Sequence, residues 1–312
     1  MKRILRTKLQ YWLIASIIFL IFSCNQKPES DTHSENNETS NLIVKNTNET
    51  TQEFKDYWYS GNAEITSYKL EQARYGEIRD GHAVLIYVTE DFNSEKQVKA
   101  DNQNSDNVSV LKLNATKKFN TGIYPYSIMQ STFYPISNKQ HALKVTSSMQ
   151  EWCGHVYAQL NNRNKFEVTS HSYFESESDQ VFKLDKAILE NELWTQLRID
   201  PSSLPEGELM IIPSFEYGRM KHVDIKPYKA EATYEGNLYT LNYPELNRTL
   251  TIHFNHKFPY DILGWEESFK SGFGENAKQL TTKATKLTSI KSKYWSKNSN
   301  ADENLRKTLE IE

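Results

Sequence analysis

YKAEATYEGNLYTLNYPELNRTLTIHF, residues 228–254, decides the fold class. Tyr228, Ala230, Ala232 and Tyr234 alternate with Lys229, Glu231 and Thr233. That period of two turns one face of a strand to a core and the other to water. Glu235-Gly236-Asn237 is a turn into Leu238–Tyr243, and Pro244–Asn247 turns again into Arg248–Phe254. In the last run Leu250, Ile252 and Phe254 share a face, opposite Thr249, Thr251 and His253. Three strands joined by two short turns make an antiparallel meander.

The same reading extends outward. Residues 83–88 alternate apolar on both faces, which predicts a buried strand, and Val110–Leu113 and Glu208–Ile212 add two more. His141–Trp152 and His155–Asn161 predict paired strands around Cys153-Gly154, followed by a strand over Phe166–Phe174. Thr281–Trp295 is rich in Thr and Lys and predicts a final edge strand, where lysines discourage pairing. One segment changes period. Leu184, Ile188, Leu189 and Leu193 lie at helical spacing, with Asp185 as N-cap and Pro201 as the stop. This predicts one main helix over about 185–199. Short helices are expected over Phe54–Tyr59 and Asp302–Ile311. The expected fold is mainly β, a curved antiparallel sheet or β-sandwich with that helix packed across it. The alternative is an α+β protein of two subdomains divided near Gln180.

The first residues address location. Lys2, Arg3, Arg6 and Lys8 precede an apolar run, Tyr11–Phe22, broken only by Ser16 and ended by Ser23-Cys24. Twelve residues are too few for a spanning helix, which needs about 20. The layout is that of a secretory signal, and its end resembles the lipobox of bacterial lipoproteins, in which the chain is cut before the cysteine and the cysteine is acylated. Residues 1–23 are thus expected to be a signal peptide and Cys24 the lipidation site. Residues 24–51, rich in Asn, Glu, Ser and Thr, bury too little to order and read as a disordered tether with a typical reach of about 30 Å. Residues 52–312 form one β-rich domain. Asn25 follows the cysteine rather than Asp, so the expected home is the outer membrane, reached through lipid on Cys24. Removing residues 1–23 strips four basic and no acidic side chains, so the net charge moves from −3 to −7. Such a chain has no general attraction to nucleic acid.

Chemistry is sparsely written. Glu151-Trp152-Cys153-Gly154-His155 opens like a thioredoxin redox motif but lacks its second cysteine. Cys153 and His155, at i and i+2 of a strand, are candidates for a Cys–His nucleophile. The plainer expectation is a small buried thiol at a strand bend. His253 and His256 fall on opposite strand faces, so no metal is expected, nor any cofactor. Glu266 and Glu267 point apart and read as solvated charge beside a buried Trp265. No phosphate loop, nucleophile elbow or His-Glu-x-x-His helix is present. The 18 Tyr, 14 Phe and 6 Trp suit sheet faces, and aromatic platforms among them suit sugars or apolar ligands.

Three stretches, residues 68–76 (YKLEQARYG), 151–157 (EWCGHVY) and 258–266 (FPYDILGWE), resemble an uncharacterised bacterial lipoprotein family often labelled septum formation inhibitor Maf. The resemblance covers nearly all of residues 53–312 and implies, by its label, a role in septum formation. The Ser-Pro-Arg-Arg-type signature of the cytoplasmic Maf pyrophosphatases is absent, so their nucleotide chemistry does not come with it. The residues favour a non-enzymatic envelope lipoprotein whose body binds an envelope protein, a glycan or an apolar ligand. The alternatives are an envelope hydrolase or transferase using Cys153 and His155, and the septum-formation role.

Overall fold

The computed structural model describes residues 50–137 and 141–312. The signal segment, Cys24 and almost all of the expected tether lie outside the described residues. Thr51 caps helix α1 (Gln52–Trp58) through its hydroxyl, which accepts from the Phe54 N–H at 3.1 Å. α1 leads into β1 (Ala63–Arg74), and the chain then meanders through β2 (Glu77–Asn93), a short β3 (Val98–Lys99) beside it, β4 (Asn107–Thr121), β5 (Tyr124–Pro135), β6 (Lys144–Glu151), β7 (Gly154–Asn162), β8 (Phe166–His171) and β9 (Gln180–Leu184). A second run follows: β10 (Ile188–Leu189), helix α2 (Glu190–Ile199), β11 (Gly207–Ile212), helix α3 (Phe215–Lys221), β12 (Tyr228–Glu235), β13 (Leu238–Tyr243), β14 (Arg248–Phe254), β15 (Ile262–Ser271), β16 (Lys278–Ser292) and helix α4 (Asn304–Thr308).

All strands belong to one sheet. Its order runs from β10 through β16, then β1, β2, β4 and on to β9. Neighbours in sequence are mostly neighbours in space; the exceptions are that β4 pairs with β2 rather than β3, that β9 and β10 lie at opposite edges, and that β16 pairs with β1, joining the end of the chain to its beginning. The two free edges, β9 and β10, are separated by only residues 185–187. The result is a large curved sheet that does not close. It is neither a sandwich nor two subdomains: no division falls near Gln180, because the described residues form one compact unit.

Alternation sets the two faces. Tyr228, Ala230 and Ala232 are buried while Lys229, Glu231 and Thr233 are exposed. The concave face wraps α2: Leu193 and Leu197 share one apolar cluster with Leu85, Leu113, Leu241 and Ile252. Outside, the C-terminal Leu309 and Ile311 cover Ala63, Ile65, Val84 and Val88. Burying each such aliphatic side chain is worth about 1.5–3 kcal/mol before entropy is charged against it.

Two expectations need correction. The main helix starts at Glu190, not Asp185, because Ile188 and Leu189 pair in parallel with Ile211 and Ile212. The Glu192 carboxylate accepts the Leu189 N–H at 3.0 Å and so fixes the start there. The lysine-rich strand β16 is not an edge but lies between β15 and β1. Lys278 and Lys283 are exposed, whereas Lys286 reaches Asp261 at 3.3 Å and Lys291 donates to the Tyr57 carbonyl at 2.8 Å, so the lysines of this strand serve its neighbours rather than guard an edge.

Candidate functional site

Because neighbouring strands are antiparallel, the turns after β1, β4, β6, β8 and β15 gather at one end of the sheet, here called the rim. α1 enters at the opposite end, where β1 begins. β1 has twelve residues, so the ends are about 40 Å apart. The rim turns are tight. Tyr75-Gly76 has φ of 54° and 78°, the two positive values of a type I′ turn, and Gly122, at φ 59°, opens the two-residue turn to Ile123. Hairpin tips are usually polar. These are not. Ile123 is 81% exposed, Phe273 69%, Trp152 68% and Tyr173 61%.

The rings form a connected run. Phe273 lies 6.2 Å from Tyr75 between centroids. The Tyr75 and Tyr126 hydroxyls are 2.9 Å apart. Tyr124 lies 6.0 Å from Tyr126 and 6.5 Å from Trp152. Tyr173 packs on Gly154, where a Cβ would come within 2.8 Å of the ring, and Tyr173, Phe174 and His222 follow at 5.2 and 5.3 Å.

Cations lie under the rings. The Arg74 guanidinium stacks over Tyr75 at 4.1 Å, and Arg219 over Phe174 at 4.2 Å. Arg74 donates to the Met220 carbonyl at 2.7 Å and to the Tyr126 hydroxyl at 3.0 Å. Arg219 and His222 share the Glu177 carboxylate, at 3.5 and 2.6 Å. Lys221 donates to the Lys270 carbonyl at 2.5 Å. Burial lowers the pKa of both Arg219 and Lys221, and the neighbouring Arg74 charge adds to it.

Cys153 and His155 belong to this rim, but not as expected. Cys153 is exposed in the β6–β7 turn rather than buried in a strand. The alternation that puts i and i+2 on one face stops at β6, so it does not reach Cys153. The Cys153 N–H donates to Glu151 Oε2 at 2.7 Å. A hydrogen bond from the thiol to Glu151, and the charge of that carboxylate, raise the thiol pKa. That is the reverse of what a nucleophilic cysteine needs. Among the described residues none hydrogen-bonds the exposed His155 ring. Folded protein is therefore expected to react with a small thiol reagent without unfolding, and slowly at neutral pH. Glu151→Gln should speed labelling several-fold at pH 8, and His155→Ala should leave it unchanged. Labelling rates measured by mass against pH check this; a slower Glu151→Gln variant would contradict it.

Glu266 is half-exposed, with Lys283 at 3.3 Å. Glu267 is buried rather than solvated and accepts from Arg248 Nε at 2.6 Å. The concave face thus holds charge that the apolar pattern hid. Arg248 bonds Glu190 at 2.7 Å, and Lys117 bonds Glu216 at 2.7 Å. These groups line an internal cavity of ≈ 50 Å³ with Trp194 and Trp265. At about 10–15 Å³ per water it has room for about three to five waters. Among the described residues no group of three His, Cys, Asp or Glu side chains is arranged to hold a metal. Buried ion pairs of this kind position elements, here α2 and α3 against the sheet.

The rim was legible only in part. The signal was present: bulky apolar residues inside glycine turns, Tyr75-Gly76, Gly122-Ile123 and Gly272-Phe273-Gly274. Neither the family-model comparison nor the comparison with curated proteins finds a match. Among solved structures, a β-barrel-like protein of a domain of unknown function from Brucella abortus is similar at 6% identity and TM-score 0.36, over 74% of this chain and 98% of that one. A porin-like protein from Bacteroides uniformis is similar at 11% identity and TM-score 0.22, over 72% of this chain and 95% of that one.

Proposed function

We propose that the protein is a non-enzymatic binding module of the cell envelope, held to the outer membrane by lipid on Cys24, which binds an envelope component at the rim. The observation that carries this reading is the run of exposed rings on adjacent hairpin tips. Exposing large apolar side chains has no folding benefit, and contiguous apolar surface marks interaction sites. Rings offer an apolar face with few rotatable bonds, which suits them to binding. The raised thiol of Cys153 speaks against the hydrolase or transferase alternative.

The test separates anchor from binding. The Cys24→Ala chain is expected to lose acyl labelling and to accumulate as uncleaved precursor, which detergent extracts. Added to lipid-stripped envelope material, it should be retained. Adding Trp152→Ala and Phe273→Ala should reduce retention at least tenfold at unchanged thermal stability, while adding Cys153→Ala should not. Equal retention of the aromatic double variant would refute binding at the rim; unchanged acylation would refute the anchor.

A further inference from the structure

We infer that the rim takes an anionic saccharide, with its carboxylate on Lys221 and Lys270 beside the buried Arg74 charge and its sugar faces on Tyr75 and Phe273. This rests on the binding-module reading and names the ligand class. Two basins meet here. One, of ≈ 30 Å³ and too small for a sugar ring, is lined by Arg74, Tyr75, Lys221, His222 and Phe273, and the other, open and of ≈ 420 Å³, by Lys221, Asn247, Lys270 and Phe273.

His222 faces Glu177, but the other cations of these basins have no carboxylate partner among the described residues. Elsewhere buried cations have carboxylate partners: Arg198 with Glu64, Arg248 with Glu190 and Glu267, Lys117 with Glu216. Arg74 is only 7% exposed, yet among the described residues it has no carboxylate, and its Nε has no hydrogen-bond partner. Lys221 and Lys270 likewise pair with carbonyl or solvent rather than a carboxylate among the described residues. A desolvated guanidinium without a counter-charge is costly; its Nη atoms donate to the Met220 carbonyl and the Tyr75 and Tyr126 hydroxyls, and an anion seated on the neighbouring Lys221 would supply the missing charge. In a protein of net charge −3 this local excess of positive charge does not follow from composition.

The rings select among anions. Tyr75 and Phe273 sit 6.2 Å apart and 36° from coplanar. They present two adjoining apolar faces beside the cations, with Asn247 available for hydroxyls. A sugar acid joins these needs in one molecule: apolar C–H faces, hydroxyls and a carboxylate. Inorganic phosphate leaves the rings bare. A lipid headgroup brings a phosphate but no rigid ring with apolar C–H faces to lie against Tyr75 and Phe273.

Isothermal titration of the full chain in detergent micelles tests this, with polygalacturonate, amylose, inorganic phosphate and phosphatidylglycerol vesicles as probes. Polygalacturonate should bind and weaken as salt rises. Phe273→Ala and Lys221→Gln should each weaken it at least tenfold without shifting the melting temperature, and Lys221→Arg should retain it. Equal binding of amylose would overturn the role of charge. Binding of phosphate or vesicles alone would overturn the saccharide. If none binds while envelope retention still depends on Trp152 and Phe273, the ligand class is wrong and the module stands; if retention is also lost, both fall.

Discussion

Arg248→Ala is expected to destabilise the protein by about 3–5 kcal/mol, the largest effect of any single substitution argued above. Arg248 opens β14 on the face of Leu250, Ile252 and Phe254, with a side chain 1% exposed. Its guanidinium bonds Glu190 and Glu267 and lies 4.1 Å from the Tyr217 ring centroid. Truncation leaves two buried carboxylates, with the Tyr243 hydroxyl, 2.7 Å from Glu190, as the main remaining donor. An unpaired buried charge costs far more than the pair contributes. The exposed pair Lys183–Glu167 is the control, and Lys183→Ala should cost no more than about 1 kcal/mol. Urea midpoints at constant m-value give both numbers. A loss under 1 kcal/mol at Arg248 would mean that water in the adjoining cavity solvates the carboxylates.

The second large effect is loss of stability in acid. Burial alone would raise the Glu64 pKa, but the Arg198 charge and its hydrogen bonds outweigh burial and hold it at about 2, against 4.5 for a free carboxyl. Arg198 makes two bonds to it, at 2.6 and 2.7 Å, and Tyr57 donates a third. A depressed folded pKa means stability fully present above pH 4.5 and lost as pH falls toward 2. The gap is worth about 3 kcal/mol. Glu190 is also lowered, burial again opposing and Arg248 prevailing, and acts in the same direction. Glu216 is raised by burial and acts in the opposite direction, favouring the folded state as pH falls. Unfolding free energies measured from pH 6 to pH 3 should fall more steeply for the native chain than for Glu64→Gln. Coincident slopes would refute the assignment.

The strands of residues 228–254 were legible because alternation and turn chemistry are local. Whether residue i faces the core depends on i+2, and whether a chain reverses at Gly236 depends on Gly236 and its neighbours. The short α1 and the stop at Pro201 were legible for the same reason. Arg248 was not. It occupies an inward position of a clear strand, and only the arrival of Glu190 from α2 and Glu267 from β15 makes that position tolerable. Cys153 was misplaced by extending strand alternation through a turn.

The sequence by itself determined a mainly β, antiparallel chain with one principal helix. Each strand's period and each turn's residues act over a few positions. Tertiary structure alone decided that β16 meets β1, which removes the expected edge, and that Ile188-Leu189 leaves the helix to pair with β11. It also decided that Tyr75, Ile123, Trp152, Tyr173 and Phe273, from five separate turns, share one rim. Such contacts join residues more than two hundred positions apart, as at Thr66 and Ser289. They are selected by how much apolar surface and ion pairing the whole sheet buries, a quantity that no short window of sequence contains.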